Sequence, residues 1–103
     1  MNEDLESLPL LEPIPWPAGA PAAPAVRHRL RARARAAASL WRLSCRQSEV
    51  LLLLALGLSN KEVAAHLSCA EVTVEYHLTA LLRRAGTDTR TRLVAKFWLE
   101  VEP

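Results

Sequence analysis

The sequence predicts an all-α fold: a bundle of four short helices, preceded by a basic helix and a disordered, proline-rich N-terminal tail. Three observations predict it. Apolar residues recur at helical spacing through the second half of the chain, and no run there prefers a strand. Ser-x-x-Gln and Ser-x-x-Glu pairs mark helix starts, and glycines mark helix ends. Six of the seven prolines fall at positions 9, 13, 15, 17, 21 and 24.

Proline at that density removes backbone donors and blocks helix, so residues 1–25 are expected to be extended or disordered. They carry Glu3, Asp4, Glu6 and Glu12 and no basic residue. Within them, LESLPLLEPIPW mixes acids with Leu, Ile and Trp16, which fits either a docking peptide for a protein partner or a solvated leader. Residues 26–42 reverse the sign, with Arg27, Arg29, Arg31, Arg33, Arg35 and Arg42 and no acid. Leu30, Ala34, Ala37 and Trp41 are spaced by four, three and four, so a helix here docks through one Leu/Ala/Trp stripe. Its arginine flanks suit either DNA phosphates or a solvated face.

Residues 43–102 form the expected domain. Ser44 with Gln47 is a capping-box pair opening a helix that runs to about Leu56 and stops at Gly57. Ser59 with Glu62 is a second capping box, opening a short helix through Leu67. The next helix spans roughly Ala70–Ala85 and ends at Gly86. The last starts near Asp88 or Thr89 and runs to about Glu100.

Composition narrows the function classes. The formal charge is only +2 over 103 residues, so its distribution says more than its sum. Cys45 and Cys69 stand alone, with no CxxC and no clustered histidines, which points to free thiols in a reducing compartment. The acidic start MNEDLES is unlike a targeting sequence. The longest apolar run, Val50 to Leu58, is far short of the ~20 residues of a membrane span. A cytoplasmic protein without membrane contact is expected. No nucleophile–base pairing, metal cluster or phosphate-binding glycine loop suggests an enzyme, and no cofactor is implied.

Two helices joined by a tight turn, the second amphipathic, describe a helix-turn-helix. Here the pair is Ser59–Leu67 and Ala70–Ala85. The stretch from Leu43 to about Leu99 resembles the LuxR/NarL/GerE-type DNA-binding domain. LSCRQSEVL is similar to that family's opening L-[ST]-x-R-E-x-E-V-L run, and GLSNKEVAAHL to its G-x-[ST]-N-K-E-[IV]-A-x-x-L helix. TVEYH matches the TV-x-x-H of its recognition helix, and Arg90 falls where an arginine follows the family's K-L-G-V turn. The resemblance implies a four-helix unit whose third helix enters the major groove and whose fourth often mediates dimerisation. It implies a bacterial transcription regulator, here a small stand-alone member without a preceding receiver or ligand-sensing domain. Sigma-factor region 4 shares the helix-turn-helix but normally lacks the last helix.

Helical geometry sorts the groove helix into two faces. Val74, Leu78, Leu81 and Ala85 form the inward stripe, while Val72, Glu75, Tyr76, Thr79 and Arg83 form the outward face. Thr73 and the free N–H groups at the helix start suit a phosphate, and Arg83 and Arg84 are further phosphate partners. The family motif adds Lys61 to that set. His77 matches the family's histidine and lies toward the flank, without companions for a metal site. Three positions depart from the family pattern: Ala70 replaces the usual Ser/Thr cap, RAGT replaces K-L-G-V, and Glu75 stands where Lys or Arg is common. A carboxylate in the groove requires a donor, which the cytosine amino group supplies.

The last helix carries Leu93, Val94, Phe97, Trp98 and Val101 on a broad apolar stripe, more than a small core needs. A homodimer through this helix, bound to double-stranded DNA, is therefore expected, with a monomer that packs the helix inward as the alternative. A protein-interaction module that kept the fold and lost DNA binding is the competing class. Glu71, Glu75 and the Trp16 peptide support it.

Overall fold

The computed structural model describes residues 17–19 and 23–102, and the proposed docking peptide with Trp16 lies outside them. Five helices follow one another, with no strand among the described residues: α1 (Pro24–Trp41), α2 (Cys45–Ala55), α3 (Asn60–Leu67), α4 (Glu71–Ala85) and α5 (Arg90–Glu100).

The ends of these helices follow from local chemistry. Both capping boxes form: Gln47 and Ser44 exchange hydrogen bonds at α2, as do Glu62 and Ser59 at α3. Helix α1 begins at Pro24, inside the segment expected to be extended. Proline is tolerated at the first helical position, because its missing N–H has no partner there and its φ is already set. Pro17 is also buried, and together with Ala18 and Gly19 it lines an open cleft with Leu56, Leu58 and His66.

Helix α2 packs against all four other helices. Ser48, Glu49 and the five residues from Val50 to Leu54 are all buried on it, which is why this run is apolar all round rather than striped. Helix α1 covers it with the stripe legible in sequence, Leu30, Ala34, Ala37 and Trp41, all at most 8% exposed.

Helix α5 closes the bundle from inside, which corrects the expected dimer surface. Leu93 and Phe97 are fully buried and Val101 is 3% exposed, so none is available to a second copy. Val94 is half-buried, and Trp98, at 38% exposed, donates its indole N–H to the Ala55 carbonyl at 3.3 Å. The stripe is spent on the same core that α1 completes.

Arg33 fastens α1 to the end of α5. Its guanidinium donates to the carbonyls of Phe97 at 3.2 Å, Trp98 at 3.1 Å and Val101. It also lies 5.6 Å from the Trp98 ring centroid and 6.0 Å from that of Phe97. Of the two uses open to the α1 arginines, Arg33 serves neither. It caps a helix.

Candidate nucleic-acid interface

Helix α3 ends at Ser68, which adopts a left-handed conformation with φ 56°, and the Cys69 N–H closes the turn on the Ala64 carbonyl at 2.9 Å. Ala70 then takes the extended backbone of an N-cap but offers no side-chain acceptor. The first turn of α4 therefore keeps N–H groups that no capping side chain claims. At the other end Gly86 turns left-handed with φ 73°, and Lys96 donates to the Ala85 carbonyl at 2.5 Å. The same ammonium lies 6.0 Å from the Trp41 ring centroid. Helix α4 is thus held at its C-terminus by α5 and α1 together.

Arg90 ties the start of α3 to α5. It donates to the Asn60 side-chain oxygen at 2.7 Å and to the Leu58 carbonyl, both at the start of α3. The family resemblance located this arginine but gave it no task. Its partners lie 30 and 32 positions away, beyond any local pattern.

The two faces of α4 separate as their spacing indicates. Val74, Leu81 and Ala85 are buried and Leu78 half-buried. Val72 is 68% exposed and Tyr76 72% exposed, with Glu75, Thr79 and Arg83 exposed beside them. Thr73 is half-buried at the helix start. The Thr79 hydroxyl donates to the Glu75 carbonyl at 3.0 Å, so in the free chain it is turned back on its own helix. Lys61 and Arg83 are exposed, and neither makes an ion pair among the described residues. Arg84 differs: it donates to the Arg42 carbonyl at 3.2 Å and so ties α4 to the end of α1.

His77 lies on the flank of α4, half-buried, with Nδ1 buried and unbonded and its ring 5.8 Å edge-on from Tyr76. Burial first, and the nearby Arg46 charge second, hold its pKa below the usual histidine value, so the ring is neutral at pH 7. Arg46 itself pairs with the buried Glu49 at 3.1 Å, and burial raises that carboxyl above its ordinary pKa despite the pairing. Among the described residues no three His, Cys, Asp or Glu are grouped as a metal site requires.

Residues 42–97, just over half of the chain, match the family described as "Bacterial regulatory proteins, luxR family". The chain belongs to that family. Over 50 residues it is also 46% identical to the "Putative HTH-type transcriptional regulator YhjB" of Escherichia coli (strain K12). That similarity covers 48% of this chain and 25% of the relative, so the chain spans about a quarter of the relative's length. No solved structure matches significantly.

The luxR family is one of DNA-binding regulators rather than enzymes. The matched region begins at Arg42 and so leaves out α1, although α1 supplies Leu30, Ala34, Ala37 and Trp41 to the core. No described helix is long and apolar enough to cross a membrane.

Proposed function

We propose that this luxR-family chain binds double-stranded DNA sequence-specifically and regulates transcription in the bacterial cytoplasm, with α4 in the major groove. The observation that carries this is the exposure of Val72 and Tyr76 on one face of a helix whose opposite face is buried. Large apolar groups left in water cost free energy unless a partner covers them.

In this arrangement Val72 and Tyr76 meet the base edges, where an apolar contact recognises a thymine methyl. Glu75 accepts from a cytosine amino group, and Thr79 rotates away from its backbone bond to meet a base. Lys61, Arg83 and Arg84 hold phosphates, with Thr73 and the uncapped start of α4. A helix is about 10–12 Å across with its side chains and fits a groove about 12 Å wide.

The test is selection from a random duplex library, followed by a salt titration on the selected sequence. A preferred sequence, bound with affinity that falls linearly with salt on a log–log plot, supports the proposal. Failure to bind any duplex at low salt overturns it.

The exposure of Glu71 and Glu75, unpaired among the described residues, favours a second reading, a protein-interaction module. That reading requires no DNA binding at any salt and capture of a protein through the same α4 face. A protein partner for the tail is a separate proposal. Deleting residues 1–16 should leave DNA affinity unchanged and abolish promoter response.

A further inference from the structure

Resting on the reading of this chain as a DNA binder, we infer that the α1–α2 junction is a second grip on the duplex. In this grip Arg42 and Arg84 together hold a backbone phosphate beside the α4 face.

Thr73, His77, Ala80 and Arg84 follow one another up one flank of α4, between its buried and exposed faces. The α1–α2 junction meets α4 along that flank. Arg84 donates to the Arg42 carbonyl at 3.2 Å, and Arg46, in the first turn of α2, is close enough to influence His77. The junction is therefore a wall beside the proposed groove surface.

Arg42 is an unusual residue for its position. It ends α1 in the left-handed region, φ 56° and ψ 54°, where glycine or asparagine is the economical choice. Terminating the helix does not require arginine. The Arg42 side chain is exposed and makes no ion pair among the described residues, so nothing within the described chain uses its charge.

The Arg84 guanidinium carries five N–H donors, of which one nitrogen faces the Arg42 carbonyl, so the others remain for an external oxygen. Arg42 and Arg84 are both exposed, neither pairs with an acid among the described residues, and the Arg84 guanidinium reaches the Arg42 backbone, so the two can meet one phosphate. Arg46 adds little, because Glu49 already pairs with it.

Two other α1 arginines lie outside this grip. Arg33 is committed to the end of α5, and Arg29 lies thirteen positions before Arg42, about 20 Å along the helix axis.

The experiment measures anisotropy of a labelled duplex against salt, from roughly 50 to 200 mM. It uses the full chain and three variants, with thermal melts verifying the fold. Arg42→Gln should weaken binding several-fold and reduce the log–log slope by about one, equally on all sequences. Arg42→Lys should restore the slope, because it restores the charge, and Arg29→Gln should match the wild type. If the wild type binds with a salt-dependent affinity and Arg42→Gln has the same slope, the grip is overturned and the DNA reading stands. Failure of Arg42→Lys to recover the slope also overturns it, since the residue would then act through structure. A wild type that binds no duplex removes both.

Discussion

Arg33 on α1 donates to the carbonyl of Phe97 on α5 at 3.2 Å, across 64 positions of sequence. The last turn of a helix leaves four carbonyls without partners and carries the negative end of the helix dipole. One guanidinium answers both, reaching Trp98 and Val101 as well. A domain beginning at residue 43 would lose this cap, together with the Leu30, Ala34, Ala37 and Trp41 contribution to the core.

Arg33→Ala should therefore lower unfolding stability by about 2 kcal/mol, the range for hydrogen bonds to a charged group. Arg33→Lys should recover only part of it, because an ammonium lacks the planar fork. Urea denaturation followed by circular dichroism measures both. A chain starting at Leu43 should lose its cooperative transition. Wild-type stability in that truncation would show that α1 is an appendage.

Burial of Leu93, Phe97 and Val101 leaves Trp98 and Leu99, at 38% and 81% exposed, as the main apolar surface on α5. Stable dimers bury ~800 Å² per partner, well beyond what two side chains supply. Sedimentation equilibrium at micromolar concentration should give a monomer in the absence of DNA. A dimer that survives Leu99→Ser and Trp98→Phe would place the self-association surface elsewhere.

Ala70 already has the backbone conformation of an N-cap, φ −81° and ψ 153°, but no acceptor to offer. Ala70→Ser supplies one without moving the chain. The gain expected for such a cap is about 0.5–1 kcal/mol, seen as a rise of a few degrees in Tm. No change in Tm would mean that a protein group other than the cap side chain already satisfies those N–H groups.

The pH dependence should carry a signature of His77. Its folded pKa lies below the ordinary 6.5, first through burial and then through Arg46. Above pH 6.5 the ring is neutral whether folded or unfolded, and it costs nothing. As pH falls below 6.5 the unfolded chain takes up a proton that the folded chain refuses, so stability declines until the folded pKa is passed. Glu49 acts with the opposite sign: its raised pKa makes folding favour proton uptake as pH falls toward 4.5. Comparing wild type with His77→Gln in urea between pH 7.5 and 5.5 isolates the histidine. The decline attributed to it should vanish in the variant, and an identical pH profile in the two proteins would refute the assignment.

The parts of this fold legible in sequence are those whose causes are local. Ser44 with Gln47 and Ser59 with Glu62 each lie within one helical turn, and both capping boxes are present. The Leu30–Ala34–Ala37–Trp41 stripe is legible for the same reason, being periodic on one helix. What covers that stripe is not local. The apolar stripe of α5 looks surplus when α5 is counted against the four-helix unit alone, yet Leu93, Phe97 and Val101 are buried in one core with the α1 stripe. Arg33, Arg90 and Lys96 are likewise indistinguishable from solvated charges until distant carbonyls come within reach. On α4, spacing separates the outward from the inward face, but it does not show that Arg84 is tied to Arg42.

The outward face of α4 separates binding from stability in a single experiment. Tyr76 is 72% exposed and touches little besides the His77 edge, and Glu75 is exposed beside it. Tyr76→Ala should leave Tm within about 4 °C, because surface changes of this kind stay within ±0.5 kcal/mol. It should nevertheless weaken binding to the selected duplex by about fivefold or more, since a base contact contributes ~1–3 kcal/mol. Glu75→Lys should raise affinity for all duplexes by removing a negative charge near the phosphates, and it should change the preferred base at one position. The selected sequences of wild type and Glu75→Lys would then differ at a single step. If the two selections return the same sequence, Glu75 does not contact a base. If Tyr76→Ala binds as tightly as wild type, α4 does not enter the groove by this face.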